Sequence, residues 1–452
     1  MNGTMFFHEK NKLDTIDDVL NIEPEELYAL VKNNDTLGNK VYDDLFYMPA
    51  YTGEFLTEMK HLALIKCNLI TLLANDKKFN KTTKFLIEKY DIEAVNSEKI
   101  SLLMIASRTG NEELFKFLIE KKTNLDSQTT CGTTALMILS SCPNMENSLK
   151  FADLLIKAGA NLDLHNIAER TALSICTSSL FYKPKFSIKM MELLIDAGTK
   201  SIDTPDLADN WTPLMTATYC YASVEAMKLL IDAGANLNFQ DNFGRSPLKI
   251  AACYLKTESS IDKTKFLIDA GANLDLQDKK SNGGTVLIDI LHGCYFNIKN
   301  QNKKIKLLIE AGANLNLPNN YGRTPLMEAS GYSATIFELI DIVELLIESG
   351  AKMDLQDNEG LTALMINAHN FKLNSSMETI KLLLKKNANL YLQNKKGKTA
   401  YTLCKNKEAR LYISQFVMLK VEKIRELSMN RMKEAFSVYN IAGNVFLYLH
   451  PK

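Results

Sequence analysis

Histidine and cysteine are the side chains best able to hold a metal or attack a carbonyl, and this chain spaces both against such uses. His8, His61, His165, His292, His369 and His450 are scattered through 452 residues, with no H-E-x-x-H and no neighbouring cysteine pair at metal spacing. Cys67, Cys131, Cys142, Cys176, Cys220, Cys253, Cys294 and Cys404 never form a C-x-x-C pair, so they are expected to be free core thiols in a reducing compartment. No G-x-x-x-x-G-K-[ST], G-x-G-x-x-G or G-x-S-x-G occurs, which removes the local support for a phosphate cradle or a nucleophile elbow. Asp275-Leu276-Gln277-Asp278 has carboxylates near those of a calcium loop but lacks the alternating ligands and the terminal glutamate; a hairpin arm is the expectation. No catalytic residue, cofactor or metal is therefore expected, and the chain is not expected to be an enzyme.

Composition agrees with a protein that buries apolar surface. Hydrophobic residues make up 46% and charged residues 23%, which excludes collagen-like, membrane-embedded and largely disordered chains. The 53 basic and 53 acidic side chains cancel, so the whole molecule lacks the field that draws nucleic acid or an acidic membrane. From Met1 to Lys12 no basic region precedes an apolar stretch, and no run approaches the roughly 18 apolar residues of a membrane span. The expected location is intracellular, in the cytoplasm, with the nucleus left open.

The elements must then come from a repeat. A Leu-Ile-type helix end recurs, often as Ala-Gly-Ala-Asn-Leu, followed by a polar tip with Gly and then by Thr-Pro-Leu or Thr-Ala-Leu. Taking the second apolar residue of each helix end gives Leu86, Leu118, Leu155, Leu194, Leu230, Leu267, Leu308, Leu346 and Leu383, spaced by 32 to 41 residues. Self-similarity at this period predicts a solenoid. Thr212-Pro213 and Thr324-Pro325 place a side-chain acceptor at the N-cap and a fixed φ at the first helical position. Gly159, Gly198, Gly234, Gly271, Gly312 and Gly350 follow the second helix at one offset, as a left-handed C-terminal residue requires, and Asn387 replaces Gly at the equivalent place. Beyond the glycine, Leu237 and Phe239 alternate with polar neighbours as a hairpin arm would, and Asp241-Asn242-Phe243-Gly244 supplies the turn.

On these residues the unit resembles the ankyrin repeat. Gly234-Ala235-Asn236-Leu237-Asn238 leads to Ser246-Pro247-Leu248, Gly312-Ala313-Asn314-Leu315 to Thr324-Pro325-Leu326, and Gly350-Ala351 to Thr362-Ala363-Leu364. The resemblance implies a mainly α fold, an ankyrin-repeat solenoid of about nine to ten helix-helix-hairpin units with helical terminal caps. Three departures stand out. Most intervals exceed the family's period, and the excess falls between the helices, as at Lys256 to Ile261 and Phe371 to Ser376; only the unit at Ser101 keeps a short turn, with Gly110. Met137, Met215, Lys249, Met327 and Met365 occupy the place of the family's Thr-Pro-Leu-His histidine, which puts any network built on it in doubt. Lys122 and Tyr90 replace the glycine in the first units.

Three segments follow: residues 1–60 as an acidic N-terminal cap or degenerate segment, 61–405 as the repeats, and 406–452 as a basic helical C-terminal cap. Glu23-Pro24-Glu25-Glu26 reads as a helix start in the first. In the last, Ile413, Phe416, Val417, Val421, Ile424 and Leu427 fall at helical spacing among Lys420, Lys423 and Arg425, with a partner helix or a membrane-surface helix as the alternatives to a cap. Poxvirus ankyrin proteins of similar architecture often end in an F-box-like domain, whose proline-acidic signature is absent after Lys405.

The resemblance implies a noncatalytic scaffold that binds partner proteins through its concave surface and fingers. Candidate contacts are the finger-tip residues Asp209, Asn210, Asn242, Phe243, Asn319, Tyr321, Asn358 and Glu359, each of which taken alone is expected to be a solvated turn residue. Trp211, the sole tryptophan, is expected to serve structure ahead of contact. The alternative is an adaptor that recruits host proteins to a ubiquitin ligase or signalling complex through a terminal segment. Leu-Ile-Asp-Ala-Gly-Ala-Asn-Leu and Leu-Gln-Asp, in an Asn- and Lys-rich setting, resemble ankyrin proteins of large DNA viruses of amoebae, which implies action on host proteins inside an infected cell. A monomer is expected. Nucleic acid is not the expected partner, but the charge leaves one end open: residues 1–60 hold 5 basic and 12 acidic side chains, residues 395–452 hold 12 and 4.

Overall fold

The computed structural model describes residues 23, 25, 73–89, 98–141, 147–220, 224–255, 257–278, 282–292, 298–333, 340–371, 374–420, 422, 425, 426, 428 and 429. It divides into two compact units, Met1–Asn242 and Phe243–Lys452. The segment expected as an acidic cap, residues 1–60, lies outside the described residues apart from Glu23 and Glu25.

The first unit opens on helix Asn80–Lys89. It then pairs Leu102–Thr109 with Glu112–Glu120, Ala135–Ser141 with Ser148–Lys157, Ala172–Ser178 with Pro184–Asp196, and Pro213–Tyr219 with Val224–Asp232. In the second unit, Pro247–Lys249 runs into a π-helical turn, Ile250–Tyr254, and pairs with Ser259–Asp269. Val286–His292 with Ile298–Glu310, Pro325–Ser333 with Ile340–Glu348, and Ala363–His369 with Asn374–Lys385 follow, and Ala400–Leu403 precedes a helix over 407–420. Within each unit, first helices stack on first helices and second on second. The family fold read from the sequence is thus the one observed.

Local chemistry starts every first helix in the same way. The side chains of Ser101, Thr134, Thr171, Thr212, Ser246, Thr285, Thr324, Thr362 and Thr399 each accept the N–H three residues ahead. Each such cap stabilises its helix by about 1 kcal/mol. The second helices end in the left-handed region at the predicted glycines, for example Gly234 at φ +91° and Gly350 at +98°, and Asn387 does the same at +71°. Lys122 also adopts it, at +58°. All nine anchor leucines are buried to 2% exposure or less. At roughly 1.5–3 kcal/mol for each fully buried leucine, this stripe is the main apolar term of the stack.

The turn lengths follow the sequence reading. Gly110 and Asn111 alone separate the helices of the Ser101 unit, whereas four to six residues do so in the later units. One feature was not foreseen. The π-helical turn ends on carbonyls that the buried Lys304 ammonium caps, donating to Ala252 O at 2.6 Å and Leu255 O at 3.2 Å.

The fingers turn as the sequence reading expects, closed across their own tips by backbone hydrogen bonds such as Asn166 N to Arg170 O, Asn319 N to Arg323 O and Asp357 N to Leu361 O. Among the described residues no strand element forms, because adjacent fingers share single hydrogen bonds where a ladder would need a series. Ile167 N donates to Cys131 O and Leu207 N to Ala168 O in the first unit; Asn358 N donates to Tyr321 O and Lys395 N to Glu359 O in the second. The cysteine reading needs correction. Cys176, Cys220 and Cys404 are buried, and burial pushes the Cys176 thiol far up, but Cys131 is exposed at a finger tip. Cys67, Cys142 and Cys294 lie outside the described residues.

Candidate functional site

The fingers present the candidate contacts, and their rigidity comes from three sets of side chains that the repeat spells out. First, the acid or amide that follows Asn-Leu, or Lys352-Met353 in one repeat, reaches the next repeat. Asp126 Oδ1 accepts Asn161 N at 2.8 Å, Asp275 Oδ1 accepts Asn314 N at 2.9 Å, and Asp354 Oδ1 accepts Asn389 N at 2.8 Å. Asp163 does most: its Oδ1 takes Thr199 Oγ1 at 2.7 Å, Lys200 N at 2.9 Å, Ser201 N at 3.1 Å and the Ser201 hydroxyl. These donors hold its carboxyl below the ordinary range against the opposing effect of burial.

Second, the glutamine of Leu-Gln-Asp staples two fingers. Gln356 Nε2 donates to Gly360 O at 2.7 Å in its own finger and to Gln393 O at 2.9 Å in the next; Gln277 does the same, as does Gln128 from Ser127-Gln128-Thr129. The phrase that suggested a viral dialect is therefore a structural device.

Third, most fingers open on an Asx residue that folds the turn over its own side chain, and Thr129 does so with its hydroxyl in the first. Asn319 Oδ1 accepts Tyr321 N and Arg323 N, both at 3.0 Å; Asp357 Oδ1 accepts Glu359 N at 2.9 Å and Leu361 N at 2.8 Å. Several of these residues are acids at or beneath the rim, buried at Asp241, Asp278 and Asp357 and partly so at Asp206, and each has a donor. Trp211 Nε1 donates to Asp241 Oδ2 at 2.9 Å, Arg170 meets Asp206 at 3.4 Å, and Arg323 meets Asp357 at 3.5 Å. At Asp278 the partner is the Lys249 ammonium, which also meets Asp289 and donates to Gly284 O at 3.2 Å. Burial alone would lower the Lys249 pKa, but the two carboxylates outweigh it and raise it. Asp275 and Asp278 are thus committed to the stack, as the hairpin-arm reading of that segment expects. Among the described residues no group of His, Cys, Asp and Glu could hold a metal ion.

Seven of the eight predicted contacts reach the surface to some degree. Asp209, Asn242, Phe243, Tyr321, Asn358 and Glu359 are exposed, and Asn210 is half-buried in the left-handed region at φ +60°. Phe243 is steadied by the Arg245 guanidinium, 4.7 Å over its ring. Asn358 is partly committed, its Nδ2 donating to Asn320 O at 2.8 Å. Asn319 differs: it is buried and spends its amide on its own turn and on Glu328 Oε1 at 3.3 Å, so it shapes the finger and leaves display to Tyr321.

Sequence reasoning missed two features of the first unit. Ile167 and Leu207 are exposed finger tips; each directly follows the finger's Asx residue, the signal that could have found them. Below them lies an aromatic cluster. Tyr219 packs edge-on to Trp211 at 5.3 Å and to Phe181 at 6.2 Å, and Phe181 lies 6.5 Å from Tyr182. Trp211 therefore has the structural role expected of it while standing in an exposed aromatic group.

The family described as Ankyrin repeats (3 copies) matches residues 70–166, 180–278 and 332–413. An ankyrin repeat protein of Acanthamoeba polyphaga mimivirus is 27% identical over 174 residues, covering 35% of this chain and 30% of the viral protein. One of Fowlpox virus (strain NVSL) is 27% identical over 161 residues, covering 34% and 44%. The Homo sapiens fibronectin type 3 and ankyrin repeat domains protein 1 is 42% identical over 50 residues, 11% of this chain and 14% of the human protein. The chain spans less than half the length of each of these relatives. With capped helix pairs, left-handed glycines and cross-linked fingers matching the regions the family covers, this chain belongs to the ankyrin repeat family.

Proposed function

We propose that the protein is a noncatalytic scaffold that binds partner proteins through its finger tips and the first-helix surface beside them. Ankyrin repeats generally serve protein–protein interaction, and one observation carries the reading to this chain. The finger backbones are fixed by bonds from one repeat to the next, while the side chains at their tips stay exposed. A surface ordered before binding loses little conformational entropy on association. Asp209, Asn210, Asn242, Phe243, Tyr321, Asn358 and Glu359 supply adaptable polar and aromatic contacts. Phe181, Tyr182, Trp211 and Tyr219 supply the kind of aromatic anchor that dominates interface energies. The helix over 407–420 closes the last repeat as a cap, with Ala409 and Ile413 buried and Lys420 Nζ donating to Asn387 Oδ1 at 3.1 Å. The likeness to ankyrin repeat proteins of two viruses supports host proteins in the cytoplasm of an infected cell as the partners.

Affinity capture with the full chain from host-cell lysate, followed by mass spectrometry, tests the reading. Specific partners held by the wild type should be lost by Leu207→Asp/Tyr219→Ala while the variant keeps its melting temperature. An unchanged partner set would show that the recognition surface lies elsewhere.

A further inference from the structure

We infer that the last repeat of the second unit docks on an anionic lipid surface, an interaction beyond the protein recognition proposed above. The end of a repeat stack is expected to carry a polar outer face. Here the helix over 407–420 has two opposite stripes. Ala409, Ile413, Phe416 and Lys420, at i, i+4, i+7 and i+11, form the one that packs, with Ala409 and Ile413 buried. Lys407, Leu411, Ser414 and Met418 repeat the same spacing on the other side. Leu411 is 58% exposed, Met418 68% and the adjoining Leu419 64%.

Charge points to what covers this side. Lys395, Lys396 and Lys398 on the last finger, Lys405 before the helix and Lys407 at its start are exposed, and none pairs with a carboxylate among the described residues. Residues 395–429 hold nine basic side chains against Glu408, Glu422 and Glu426. Tyr391 and Tyr401 are exposed nearby, and the Arg410 guanidinium lies 5.7 Å over the Tyr401 ring. Basic side chains seek lipid phosphates, tyrosines suit the headgroup level, and leucine and methionine enter the acyl boundary; two such signals together hold a protein at a surface. Exposed aliphatic side chains gain nothing from a nucleic-acid backbone, which ranks that anionic partner below lipid. The attachment inferred is peripheral, through side chains of the helix over 407–420 and the last finger; among the described residues no helix is long and apolar enough to cross a membrane.

Co-sedimentation of the full chain with phosphatidylcholine vesicles, with and without phosphatidylserine at a quarter of the lipid, tests this. Binding should require phosphatidylserine and weaken with added salt. At about 1 kcal/mol for each lysine near the surface, Lys395→Gln/Lys396→Gln/Lys398→Gln should weaken it on the order of a hundredfold. Met418→Gln/Leu419→Gln should weaken it roughly tenfold through lost apolar insertion. Both variants alter exposed side chains, and an unchanged melting temperature verifies that they fold. Equal binding to neutral vesicles, indifference to both variants, or binding of duplex DNA without binding of vesicles would each overturn the inference. Host-protein capture through the fingers is read separately and does not depend on the outcome.

Discussion

The repeats that open at Ser246 and Thr324 face one problem and solve it from opposite sides. In each, the following finger begins with a buried acid, Asp278 or Asp357, whose side chain is 2% or 3% exposed. Arg323 answers Asp357 from the rim with its side chain 37% exposed, and the core position below it is the buried Met327. For Asp278 the cation rises out of the core: Lys249 stands where Met137, Met215, Met327 and Met365 stand in their repeats, and its side chain is only 3% exposed. The adjacent Arg245 lies over Phe243 and Tyr254. The difference teaches that one backbone slot accepts dispersion or charge, provided that the neighbouring repeat supplies the complement. Asp289 is that complement, an acid inside the apolar helix Val286–His292.

The comparison breaks most visibly at Lys249. Lys249→Met installs the residue that several other repeats use but leaves Asp278 and Asp289 buried without their cation, and should cost about 3–5 kcal/mol in urea unfolding. Adding Asp289→Leu should recover most of that loss, because a buried pair replaced by apolar groups is often neutral or better. A cost below about 1 kcal/mol for the single variant would mean that the carboxylates find other partners and the cluster is not held by charge.

Asp163 sharpens the contrast, since it is satisfied by hydroxyl and amide donors and no cation. Asp163→Ala strands the N–H groups of Lys200 and Ser201 and should cost about 1–3 kcal/mol. The rim solution should be cheaper still. Arg323→Met is expected to cost about 1 kcal/mol or less, because the pair is partly solvated and Asp357 keeps its two turn N–H donors. A loss at Arg323 equal to that at Lys249 would erase the distinction between rim and core.

How much of this the sequence revealed follows the same division. Elements defined by local chemistry were legible: the Ser and Thr caps, the left-handed glycines, Asn387 in their place, and the leucine anchors each act within one repeat. Properties set between repeats were not. Lys249 was read only as a missing histidine, because its partners lie 29 and 40 residues away; the clue was Asp289, an acid with apolar neighbours on both sides in a first helix. Asn319 was taken for a tip because its type suits turns, whereas its burial depends on how the finger folds over it. The finger turns were legible, but alternation along one arm cannot show that the next finger offers a single backbone hydrogen bond and no strand ladder. The exposure of most tip residues was legible from the turns, and the aromatic cluster of the first unit was not, since Phe181, Trp211 and Tyr219 come from two different repeats.

The smallest expected effect tests the exposed extreme of the comparison. Glu112 meets Lys116 at 2.7 Å and Lys150 at 2.6 Å on an open face. Hydrogen bonds from those two lysines hold its pKa at about 2. A carboxylate depressed in the fold contributes stability that is complete above its ordinary value of 4.5 and is lost as pH falls toward about 2. The urea midpoints of wild type and Glu112→Gln should therefore differ slightly at neutral pH and converge on acidification through that window. Added salt should shrink the difference, as exposed charges are screened. Asp289 has the opposite sign, because burial raises its pKa against the pull of Lys249, so its contribution is complete below the ordinary carboxylate value and lost as pH rises. If Glu112→Gln and wild type kept a constant gap down to the lowest pH, the two lysines would be acting through packing of their stems, and charge on this surface would not distinguish it from the core.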